Sequence, residues 1–64
     1  MTDFTITHHG SIDCLTPITQ AARDWVEEFV SAEGYQWFGR SLCIEPRYSG
    51  AIVQGMLDHG LEQG

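Results

Sequence analysis

The chain contains no lysine. Its 64 residues carry three arginines, Arg23, Arg40 and Arg47, against nine carboxylates, for a formal net charge of -6. Binding to a phosphate backbone begins with Lys and Arg replacing counterions, so this balance argues against direct contact with DNA, RNA or an anionic membrane. It leaves two readings open: plain solubility, or attraction to a basic partner such as a nucleic-acid-binding protein. Cysteine is scarce as well. Cys14 and Cys43 stand 29 residues apart in apolar, strand-like segments. That spacing makes neither a metal pair nor a disulfide framework, so both are expected as buried free thiols acting as small hydrophobes. No run approaches the ~20 apolar residues needed to span a bilayer. The opening "MTDFTITHHG" lacks the basic region and apolar stretch of a signal peptide, and a cytoplasmic location is expected.

The length suits one domain, 1–64, with little interior. A chain this short buries only ~60% of the surface its unfolded form exposes. Side chains that could line a deep cleft are needed for the core, so an enzyme is not expected. His8 and His9 are consecutive and would point to opposite faces of a strand, and His59 is remote; no metal site is expected. A catalytic thiol needs exposure and an activating neighbour, which neither cysteine is expected to have. No catalytic residue and no cofactor are expected.

What is present is pattern. Phe4, Ile6 and His8 alternate with Asp3, Thr5 and Thr7, the period of a strand. Gly10 supplies the turn, and Ser11 to Leu15 reads as a second strand that must end at Pro17. Thr19 is a suitable N-cap for a helix whose Ala21, Ala22, Trp25, Val26 and Phe29 share one arc. Gln20, Asp24, Glu27, Glu28 and Ser31 share the other, and Gly34 is the expected stop. Ser41 to Glu45 reads as a third strand after a turn at Gly39. Pro46 opens a second helix over 47–59, with Tyr48, Ile52, Val53 and Met56 inward and Gly60 as the stop. The expected fold is therefore α+β, in the order β-β-α-β-α: a three-stranded sheet with two helices on one face and the other face partly open.

Two surface features are candidates for function. Asp24, Glu27 and Glu28 lie on adjacent helical turns, where like charges repel by a few tenths of a kcal/mol; Glu33 extends the patch. Such a row is either a solvated helix face or a contact surface for the Lys/Arg groove of a nucleic-acid-binding protein. Trp37 and Phe38 beside Gly39 are expected mainly in the core, with Trp37 as the alternative interface anchor.

"HGSIDCLTPITQAARDWVEE" and "WFGRSLCIEPRYSGAIVQGMLDHGL" together resemble a family of short proteins of proteobacterial genomes and their phages. Its landmarks here are Gly10, Pro17, Trp25, Gly39, Pro46 and Tyr48, which imply fold more than chemistry. In size, acidity and want of enzymatic motifs the chain also resembles the anti-CRISPR proteins of phages and mobile elements. That resemblance implies an inhibitor, monomeric or weakly dimeric, that binds a type I CRISPR effector complex (Cascade) and blocks target DNA. Asp24, Glu27, Glu28, Glu33 and Trp37 would be its contact residues. The alternative is an acidic regulatory module, antitoxin-like or transcription-factor-binding, that uses the open sheet face or Trp37.

Overall fold

The computed structural model describes residues 1–30 and 36–64. Strands β1 (Phe4–His9) and β2 (Ile12–Pro17) form the expected hairpin, with Gly10 at φ +61 in its turn. Helix α1 runs over Gln20–Phe29, then β3 (Gln36–Phe38), β4 (Ser41–Ile44) and helix α2 (Pro46–Asp58). The architecture is α+β, but the sheet has four strands, not three, in the order β1-β2-β4-β3 with every pair antiparallel. The aromatic stretch read as an approach to the third strand is itself an edge strand, turned back onto β4 by Gly39 at φ +60. β4 thus lies between β2 and β3, and the two ends of the sheet differ in what surrounds them.

Register assigns the faces. Phe4, Ile6, Leu15, Leu42 and Ile44 alternate onto one side. Phe4, Leu15, Leu42 and Ile44 join Ala22 and Val26 of α1, Met56 of α2 and Leu61 in a single buried core. Both helices therefore cover the same face, as expected. The Thr19 cap is present, its hydroxyl accepting from the Ala22 N–H at 3.2 Å. Pro46 opens α2 where its missing N–H has no intrahelical role. The helices approach so closely at Gly55 that a Cβ there would sit 2.9 Å from the Trp25 ring.

Three buried-residue expectations need correction. Trp37 and Phe38 are not core residues; they are 43% and 62% exposed, Trp37 on the helix-bearing face at the edge of the sheet and Phe38, paired with Ser41, on the opposite face that the helices leave uncovered. Ala21 and Phe29 are exposed and lie outside the core although their arc is apolar; α1 meets the core through Ala22 and Val26, with Trp25 packed against it. Tyr48 is likewise exposed, stacked beneath the Arg47 guanidinium at 4.8 Å. The proposed helix stop at Gly34 falls outside the described residues, while α1 ends at Phe29 with Val30 as its C-cap. Among the described residues no helix is long and apolar enough to cross a membrane.

Two carboxylates hold the β1 end together. Asp3 accepts from the Thr19 hydroxyl at 2.7 Å and from the Glu62 N–H at 2.8 Å, and its backbone carbonyl accepts from Ile18 at 2.7 Å. One side chain thereby joins the start of β1, the cap of α1 and the C-terminal segment, which lies along β1 through a Phe4–Gln63 bridge. These donors hold the Asp3 carboxyl below its ordinary pKa, the Glu62 N–H contributing most. Asp13, only 2% exposed, accepts from the Ser49 hydroxyl of α2 at 2.5 Å and pairs with Nδ1 of His8 at 2.6 Å. Those two partners, Ser49 foremost, lower its pKa against the opposing effect of burial.

A candidate partner-binding groove

Among the described residues, the opposite end of the sheet is open. α1 packs through Ala22 and Val26 and turns Glu27, Glu28 and Phe29 outward in its last turn. β3 places Trp37 opposite Leu42, on the helix-bearing face but beyond the cover of the helices. Between them runs a groove of about 390 Å³ lined by Val26, Glu27, Glu28, Phe29, Val30, Trp37 and Leu42. A neighbouring cleft of about 260 Å³ is lined by Pro17, Arg23, Glu27, Trp37, Gly39 and Arg40. Glu27 and Trp37 belong to both, so they stand on the ridge between an acidic-apolar hollow and one flanked by arginines.

The carboxylates sit against local electrostatics. A helix C-terminus carries partial negative charge from its unpaired carbonyls, and an acidic side chain there is unfavourable by ~0.3–1 kcal/mol at low ionic strength. Glu27 and Glu28 both occupy that turn, and no basic residue is there to offset them. Phe29 is 56% exposed, with its ring 5.2 Å from that of Trp25 and 6.0 Å from that of His59. The groove therefore joins two aromatic side chains to two carboxylates that the helix itself disfavours. A cationic segment with an apolar side chain would meet both needs at once.

Five residues were candidates from sequence. The fold brings Glu27, Glu28 and Trp37 together at this groove. Asp24 is exposed elsewhere on α1, engaged by the Gln20 amide at 2.8 Å, and does not line the groove. Glu33 lies outside the described residues. The acidic face is also not a continuous stripe: Arg23 and Arg40 border it. Phe29 was missed as a groove residue because its position on the apolar arc marked it for the core.

Compared with protein-family models, curated proteins and solved structures, the chain found no match.

One buried polar grouping is committed to structure. Ser49, Asp13 and His8 form a Ser-Asp-His chain, but the carboxylate is in the middle and the serine hydroxyl is buried against it. A nucleophilic serine needs the imidazole as its own hydrogen-bond partner. Cys43 is buried, and its thiol pKa is pushed up by burial and by the adjacent Cys14 sulfur. Cys14 is only half-buried, contrary to the expectation that both thiols are enclosed. Among the described residues no three metal-ligating side chains gather.

Proposed function

We propose that this chain is a binding protein rather than an enzyme: an acidic inhibitor that occupies a basic, nucleic-acid-binding surface of a protein partner. The observation that carries the reading is the placement of Glu27 and Glu28 at the disfavoured end of α1 beside exposed Trp37. The carboxylates would pair with Lys and Arg side chains, giving fast, salt-sensitive association. Trp37 and Phe29 would supply the desolvated contact that slows release. Asp24 lies off the groove and would act through long-range attraction only.

The resemblance to anti-CRISPR proteins names the partner to try first, a type I CRISPR effector complex in the bacterial cytoplasm, with target DNA excluded from its binding channel. The protein itself would touch no nucleic acid. The test is capture of purified type I effector complexes by this protein at low and high salt, with target DNA as competitor. Salt-sensitive capture that DNA competes away supports the reading. If no complex is captured, the CRISPR partner falls. If a partner is bound through Trp37 while the carboxylates are dispensable, the chain is the regulatory module of the alternative reading.

A further inference from the structure

On the face of the sheet that the helices leave uncovered, register sets Cys14 of β2 directly opposite Cys43 of β4. Their sulfurs are 3.7 Å apart as free thiols. Beside them Thr16 and Ser41 share a hydrogen bond of 2.6 Å, which fixes the same two strands in this register. No third metal-ligating side chain joins the pair among the described residues, so its chemistry is that of a dithiol. From this placement we infer that Cys14 and Cys43 form a reversible redox site, oxidised by peroxide to an intramolecular disulfide between β2 and β4.

The geometry accommodates the bond. Facing residues of antiparallel strands have Cα atoms ~4.5–5.5 Å apart, within the span a disulfide tolerates. Closure brings the two sulfurs from 3.7 Å to the ~2.05 Å of an S–S bond. Disulfides that solvent reaches are the labile ones, and Cys14 is half-buried, which suits a switch more than a permanent staple. Exposure assigns the order of events: Cys14 is half-buried and Cys43 nearly enclosed. Cys14 gives up its proton and its thiolate attacks the peroxide O–O bond, forming a sulfenic acid and releasing hydroxide, which takes up that proton as the first water. The Cys43 sulfur then displaces the sulfenic oxygen, and its proton leaves with that oxygen as water. Overall, one peroxide is reduced to two waters as two thiols become one disulfide. The closed loop contains α1 and β3, whose unfolding the cross-link would restrain.

The test is to treat the reduced, folded chain with hydrogen peroxide and measure intact mass, free thiols and melting temperature, then add glutathione. The expected product is a monomer lighter by two hydrogen atoms, with no free thiol and a raised melting temperature. Glutathione should restore the original mass and thiols. Because the chain has only two cysteines, such a product fixes the linkage without mapping. In C43S, a sulfenic-acid trap should label Cys14; in C14S, Cys43 should stay unlabelled under the same exposure. Wild-type protein that gains oxygen atoms, forms only intermolecular dimers or keeps both thiols would overturn the inference. Labelling of Cys43 ahead of Cys14 would overturn the assigned order.

Discussion

The two ends of this sheet use their carboxylates in opposite ways. At the β1 end, Asp3 and Asp13 are saturated with donors and tie together segments far apart in sequence: Asp3 with Glu62, Asp13 with Ser49. At the β3 end, Glu27 and Glu28 are turned to solvent at the wrong end of a helix, next to aromatics the core does not use. One end is closed by polar contacts that specify the fold. The other is left with charge and apolar surface that the fold does not need. In a chain this small, the difference marks where stability is made and, on the proposed function, where a partner would be met.

The bluntest way to break the comparison is to delete side chains at each end. Leu15→Ala, in the core on β2, should cost ~2–5 kcal/mol, read by denaturant titration. Phe38→Ser, on the exposed edge strand, should cost about 1 kcal/mol or less. Similar losses from the two variants would mean that the β3 end is as structural as the other.

Acid sharpens it further. Asp3 and Asp13 titrate lower in the fold than their ordinary value of 3.8. The unfolded chain therefore takes up protons first as pH drops. The stability these groups add is complete above the unfolded value and is lost as pH falls through the lowered folded values. Asp13→Asn should flatten that acid limb. Melting temperatures between neutral pH and about pH 2 would show this, since that range brackets ordinary carboxylate titration.

A smaller effect separates two glycines of α2. Nothing lies within 4 Å of a Cβ built at Gly50, so Gly50→Ala should stabilise by ~0.5–1 kcal/mol through helix propensity. At Gly55 the Trp25 ring stands in the way, and Gly55→Ala should lose that gain and lower the melting temperature. Equal stabilisation by both would show that α1 and α2 are not in close contact there.

Much of the closed end was legible from sequence. The alternation of Phe4, Ile6 and Leu15, the Thr19 cap and Pro46 are local signals, and each appears where local chemistry put it. β3 was not, because three residues are too few to display a period, and their aromatic character fitted a core equally well. The burial of Asp13 was hidden for another reason: its partner Ser49 is 36 residues away, joined only when α2 packs on the sheet. The Cys14–Cys43 apposition depends on the β2–β4 register, which β3 and α1 must fold to create. Of the candidate groove, charge and amphipathicity pointed to Glu27 and Glu28, while the exposure of Phe29 and Trp37 depended on how far the helices reach across the sheet.

The smallest expected change in stability accompanies the largest in binding. Reversing Glu27 and Glu28 to Lys replaces two negative charges at the disfavoured helix end with two positive ones, so the double variant should melt no lower than wild type, or slightly higher at low salt. The most direct measurement is displacement of target DNA from a type I effector complex by wild-type protein and by E27K/E28K, with melting curves in the same buffer. The account predicts displacement by wild type that weakens with salt, and none by a variant that remains folded. A folded E27K/E28K that displaces DNA as well as wild type would contradict it.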